Sequence, residues 1–201
     1  MEDLRITKTR KKLRQALCAL LAEKPFEQIT VTDLCRMSGV SRITFYAYYD
    51  DKFALVRETF DALLAQTTAI FAARERRNNA ARDPAQSGRN LLDAILDMQE
   101  QEDGPMRTLL ASGDAYLSFA YYWQVLCRAT LKSEGIVAAL GPVYPATMTN
   151  SLLCSGLWGF LRTGFREQRP PAELRAQAQA LLDGLLKSAL FNPSAAPDAA
   201  K

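Results

Sequence analysis

The chain has 201 residues, 48% of them hydrophobic and 23% charged, with a formal net charge of +3. That length and apolar content fit one or two folded domains with a sizeable core, not a disordered chain. There is no histidine, the four cysteines (Cys18, Cys35, Cys127 and Cys154) lie far apart with no CxxC pair, and no phosphate loop or nucleophile motif is present, so a zinc site, a cofactor and an enzymatic activity are not expected.

The positive charge is concentrated at the start. From Arg5 to Arg14 there are six bases and no acids, whereas from Phe53 to the end fifteen bases face fifteen acids. Basic residues at a helix start oppose the helix dipole, so the run needs another rationale, and phosphate contact by residues such as Lys8 and Arg10 supplies one. The apolar positions Leu13, Ala16, Leu17, Leu20 and Leu21 have helical spacing and predict a first helix from about Thr7 to Glu23, ended by Pro25. No apolar stretch directly follows the charged start and no apolar run approaches a membrane span, so a cytoplasmic protein is expected.

The stretch TVTDLCRMSGVSRITFYAYYDDK, residues 30–52, carries the most information. Thr30 and Asp33 have capping-box spacing and open a helix of two turns through Ser38. Gly39 suits a left-handed C-cap, and Ser41 suits the N-cap of a second helix, residues 42–49. Phe45 and Tyr49 share one face, turned toward Leu34, Cys35 and Val40, with Ile43 partly inward. Arg42, Thr44, Ala47 and Tyr48 remain outside. This is a helix-turn-helix, whose second helix enters the major groove. Arg42 has the geometry to bind guanine O6 and N7, Thr44 and Ala47 suit a thymine methyl or a phosphate, and Tyr46, Tyr48 and Lys52 suit the backbone.

The segment from about Arg10 to Leu55 resembles the DNA-binding domain of the TetR/AcrR family of bacterial transcriptional regulators. The matching residues are Phe26, Thr30, Val31, Leu34, Ser38, Gly39, Val40, Ser41, Thr44, Phe45, Tyr46, Tyr49, Lys52 and Leu55. The resemblance implies an all-α homodimer that binds an operator and is released by a small ligand. Carried over by position, Thr30, Arg42, Thr44, Tyr46, Ala47, Tyr48 and Lys52 form the DNA-contacting set. Ser38 departs from the family's frequent alanine, and Asp50 and Asp51 place two acids beside Lys52; they suit a cap for the next helix.

A connecting helix is expected from Asp51 to about Ala73. Residues 74–88, RERRNNAARDPAQSG, read as a frayed end and a loop whose arginines are solvated. Helices follow at about 90–99, 105–111, 114–132, from Pro142 and Pro145 to about Glu167, and from about Ala172 to Phe191, before a disordered tail at 193–201. The expected organisation is therefore all-α with about nine helices. It comprises a helix-turn-helix domain at 1–52 and a helical ligand-binding and dimerisation domain at 53–192.

On the last two helices Ser151, Ser155 and Gly159 form a small-residue stripe, and Leu174, Leu181 and Leu185 belong to an apolar one; both predict a dimer interface. The resemblance implies the same pairing, as a four-helix bundle. Aromatic residues supply a ligand set: Tyr116, Phe119, Tyr122 and Trp123, with Met98 and Trp158. The expected function is a homodimeric repressor that binds a near-palindromic double-stranded operator through residues 42–48 and responds to a small-molecule effector. The alternative is a helix-turn-helix regulator, an activator among the options, controlled by a protein partner.

Overall fold

The computed structural model describes residues 4–100 and 135–191. Among these residues there are eight α-helices, one 3-10 turn and no strand. The helices are α1 (Leu4–Glu23), α2 (Val31–Ser38), α3 (Arg42–Tyr46), α4 (Lys52–Asn78), α5 (Pro84–Glu100), α6 (Ile136–Ala139), α7 (Ala146–Arg166) and α8 (Pro171–Leu186), with the 3-10 turn at Phe26–Gln28. The architecture is the expected one, a helix-turn-helix domain followed by a helical C-terminal domain. The helices expected at 105–111 and 114–132 and the tail at 193–201 lie outside the described residues.

The chain divides into two compact units, and the division falls inside α4, after Ala65. In the first unit α1 packs on α2, and α2 on α3. Leu13, Leu17, Leu20, Phe26, Ile29, Leu34, Phe45 and Leu55 are almost completely buried there. α1 contributes one stripe at i, i+4 and i+7, so its remaining faces are left for charge. In the second unit α5 packs on α6 and α8, and α7 on α6 and α8, around Leu91, Ile95, Leu157, Leu161, Leu174 and Leu182. Gly164 makes the approach of α7 and α8 feasible: a Cβ at that position would collide with Leu174 Cδ1. Among the described residues no helix is long and apolar enough to cross a membrane.

The structure corrects several element boundaries. α3 is shorter than expected and ends at Tyr46, and the final helix ends at Leu186 instead of Phe191. The largest difference concerns residues 74–88. α4 continues to Asn78, and α5 already starts at Pro84. Asp83 accepts hydrogen bonds from the backbone N–H groups of Ala85 (3.1 Å) and Gln86 (3.3 Å). The Asp-Pro pair is thus an N-cap followed by a first-turn proline, an arrangement that proline's missing N–H favours. Asn79, Ser87 and Asn90 are buried, and hydrogen bonds link all three to Glu75. A run of polar residues that suggests a loop is therefore a closed polar network between two helices.

Arg74 belongs to the same correction. It is not a solvated arginine: it pairs with Asp97 at 2.6 Å and Asp93 at 3.4 Å. Arg175 on α8 reaches the same two carboxylates at 3.0 and 2.9 Å and Glu100 at 2.9 Å. Two arginines sharing two aspartates tie α4, α5 and α8 together more specifically than isolated surface pairs can.

Candidate nucleic-acid interface

The reader is built by local capping. The Thr30 hydroxyl accepts from the Asp33 N–H at 3.1 Å, and the Asp33 carboxylate accepts from the Thr30 N–H at 3.0 Å, so the expected capping box is present. Lys24 (2.8 Å) and Arg36 (3.1 Å) add ion pairs to Asp33. Hydrogen bonds from Lys24, then from the Thr30 hydroxyl and N–H, hold the Asp33 carboxyl well below the usual carboxylate range. Gly39 closes α2 in the left-handed region at φ 67°, where a Cβ would be strained. One residue after Val40, the Ser41 Oγ accepts from the Thr44 N–H at 3.1 Å and opens α3.

α3 is anchored by its inner side. Phe45 is fully buried and Tyr49 nearly so, with their rings 5.5 Å apart. Burial, and then the adjacent Glu58 carboxylate, push the Tyr49 phenol pKa up. The outer side presents Arg42, Ile43, Tyr46 and Ala47 to solvent, while Thr44 and Tyr48 are half-buried. Arg42 makes no ion pair among the described residues. Ile43 corrects the expectation of a partly inward side chain, because it is 86% exposed. Five helical residues make less than two turns, and once Phe45 and Tyr49 point inward, Ile43 must point out.

Lys52 stands at the first position of α4. Its ammonium donates to the carbonyls of Phe26 (2.8 Å), Glu27 (3.0 Å) and Ile29 (2.8 Å) and lies 4.5 Å from the centre of the Phe26 ring. Three carbonyls at the end of the 3-10 turn are thereby satisfied by one cation. Phosphate contact by this group would have to compete with those bonds. Lys52→Met is expected to cost about 1.5–3 kcal/mol of stability in urea unfolding, the range for bonds to a charged group. A purely phosphate-binding lysine would leave stability unchanged and reduce the salt slope of DNA binding by about one. Asp51 accepts from the Ala54 N–H at 2.7 Å, so this acid does cap α4.

The basic run on α1 splits into two groups. Arg14 and Arg10 turn to Glu58, at 2.8 and 3.7 Å, and Arg10 also lies 5.8 Å from the Tyr48 ring centre. Arg5, Lys8, Lys11 and Lys12 are exposed. Lys8 is thus available to a polyanion, whereas Arg10 is already engaged. Sequence reasoning passed over Arg36 and turned Ile43 partly inward, whereas both are exposed on the reader; for Arg36 the signal was its charge within α2. The thiols of this unit are inert: burial pushes Cys18 up to about 12 against the opposing effect of Arg14, and burial raises Cys35 against Arg42. Neither supplies a thiolate.

Residues 13–59 match the sequence profile of the bacterial regulatory proteins of the tetR family. A stretch of 56 residues is 39% identical to an uncharacterised HTH-type transcriptional regulator, YxbF, of Bacillus subtilis, covering 27% of this chain and 15% of that protein. A likeness of fold alone reaches over most of the chain. A putative TetR-family transcriptional regulator from Syntrophomonas wolfei superposes with a TM-score of 0.72 over 92% of this chain and 98% of its own, at 14% identity. The likeness to the TetR family in sequence is carried by residues 13–59, and the rest of the chain shares the fold. A second structure in the family, from a Shewanella species, superposes with a TM-score of 0.64 at 16% identity over 87% and 95% of the two chains. A third, the TetR-like regulator LfrR of Mycobacterium smegmatis in complex with proflavine, has a TM-score of 0.56 at 16% identity over 90% and 98%. The proteins named here are themselves described as transcriptional regulators.

In the second unit of the chain the remaining expected residues separate. Tyr116, Phe119, Tyr122 and Trp123 lie outside the described residues. Met98 is fully buried, and Trp158 is half-buried with the Arg162 guanidinium 5.3 Å from its ring centre. Neither lines the apolar cavity of this unit, which is walled by Leu92, Ile95, Val137, Leu153, Leu157 and Leu182, with Asn150 and Cys154 as its polar members. Among the described residues this wall is aliphatic.

Leu174 is likewise corrected: at 2% exposure it fills the space beside Gly164 and is core, not interface. Ser155 is exposed, Ser151, Leu181 and Leu185 are half-buried, and a Cβ at Gly159 would meet nothing within 4 Å. Met148 and Leu152, 66% and 55% exposed, extend that face of α7.

Proposed function

We propose that this protein is a homodimeric transcriptional repressor that binds a near-palindromic operator and is released by a small-molecule effector. The observation that carries the reading is the fully capped α2–α3 pair, with Arg42 exposed and without an ion pair among the described residues. An unengaged guanidinium on the outer side of a rigidly anchored reader suits bidentate recognition of guanine. Thr44, Tyr46, Ala47, Tyr48, Thr30 and Lys8 surround it as phosphate and groove contacts, with Lys52 holding the frame. Two copies are needed because one short helix reads only a few base pairs, and paired readers meet successive major grooves about 34–36 Å apart.

The uncovered face of α7 supports the dimer. Met148, Leu152, Ser155 and Gly159 follow one another at spacings of three and four, apolar or small throughout, and Gly184 on α8 also has open space above it. Leu152→Arg should convert a dimer into a monomer in sedimentation at micromolar concentration while leaving helicity unchanged. The apolar cavity supports an effector that is small, uncharged and largely hydrocarbon, since no charged side chain among the described residues lines it. The solved complex of LfrR with proflavine agrees with a small molecule as effector.

The test is selection of genomic fragments by the purified full chain at near-physiological salt, followed by sequencing. One shared site with two-fold symmetry is the expected result. Broad, salt-sensitive binding without a shared site would mean that DNA is held through phosphates alone. A site that no small molecule weakens, on a protein whose α7 face captures a partner, would move control to the protein-partner reading.

A further inference from the structure

An isoleucine that is 86% exposed on a helix anchored by a fully buried phenylalanine contributes nothing to the core. A β-branched residue is also a mediocre helix former, so local structure does not favour it there either. Its neighbours define what the position faces. The Ser41 and Thr44 hydroxyls are hydrogen-bonded to each other at 2.8 Å, and the Ser41 Oγ also receives the Thr44 N–H. The two hydroxyls of this turn are thus turned to each other. What projects from the outer face of α3 is one guanidinium, Arg42, one branched aliphatic group, Ile43, and at its end the half-exposed ring of Tyr46. The same unit carries exposed bases: Arg36 on α2, and Lys8, Lys11 and Lys12 on α1. That positive setting favours a polyanion over an apolar protein surface as the occupant of this face.

We propose that Ile43 is a specificity-determining residue that reads the C5-methyl group of a thymine in the major groove, beside a guanine bound by Arg42. The proposal rests on the operator-reading function above and adds to it the chemistry of the site. The thymine methyl is the one apolar feature that the major-groove edge of a base pair presents. A branched aliphatic side chain with no polar partner to satisfy fits it, and a cytosine at the same position would leave the isoleucine against a donor amine. Each half-site is therefore expected to carry a thymine within a base pair or two of a guanine, in mirrored positions.

The operator recovered by genomic selection supplies the substrate for the test. Each thymine of a half-site, with its symmetric mate, is replaced by deoxyuridine, which removes the methyl and keeps the pairing. Affinities are measured for the full-length protein and for Ile43→Ala. The wild type should lose about fourfold per half-site at one thymine, the equivalent of ~0.8 kcal/mol for one buried methyl, and Ile43→Ala should be indifferent to that replacement. Since Ile43 buries almost nothing, circular dichroism of the variant should match the wild type.

Uracil replacements that are all silent, or one that weakens Ile43→Ala as much as the wild type, would overturn this inference and leave the reader standing. A protein that selects no operator at all would overturn the reader, and this inference with it.

Discussion

Replacing Phe45 with alanine is expected to unfold the first unit while the second stays folded. Phe45 is completely buried, lies 5.5 Å from the rings of both Tyr46 and Tyr49, and sits among Leu34, Leu13 and Leu55 in the core. Truncating a buried phenylalanine costs about 3–5 kcal/mol. A unit of this size buries too little surface to spare that much, since whole domains are stable by only about 5–15 kcal/mol. The second unit has its own core around Ile95, Leu161 and Leu182. Hydrogen exchange on the full chain separates the two: peptides from α2 and α3 should lose protection, and those from α5 and α8 should keep it. Retained protection in α2 and α3 would show that the reader is held by its caps and ion pairs more than by its core.

Arg42→Ala is expected to do the opposite: stability remains and recognition goes. The side chain is exposed and has no ion pair among the described residues, so the fold loses nothing with it. Operator affinity should fall by about 1–3 kcal/mol per reader, with relaxed preference at one base pair of each half-site. In a dimer the two losses add. The comparison that matters is operator against random DNA at one salt concentration. A selective loss on the operator identifies a base contact, whereas an equal loss on both identifies a phosphate contact and contradicts base reading by this residue.

These two variants also show which parts of the molecule could be read in advance. Thr30, Asp33, Gly39 and Ser41 act through bonds to backbone groups within three or four residues, so their roles follow from spacing alone. The same holds for the stripe of α1 and for Phe45 and Tyr49, which meet because they are four apart on one short helix. The family likeness rests on this locally determined stretch.

The misreadings arise where partners are distant in sequence. Lys52 looks like a phosphate ligand until the fold brings the carbonyls of Phe26, Glu27 and Ile29 to its ammonium. Arg74 looks solvated and Asn79 looks like part of a loop until α5 and its aspartates, and Glu75, close around them. Leu174 looks like part of an interface until Gly164 admits it to the core.

The sequence by itself determined the helical class, the two caps, the glycine turn and the inward face of the reader, because each depends on neighbours along the chain and on the periodicity of apolar residues. Only the tertiary structure decided which charges remain for a partner, which leucines are core and which of the described residues wall the cavity. Those outcomes depend on groups brought together from tens of residues apart, and no local pattern records which of them will meet.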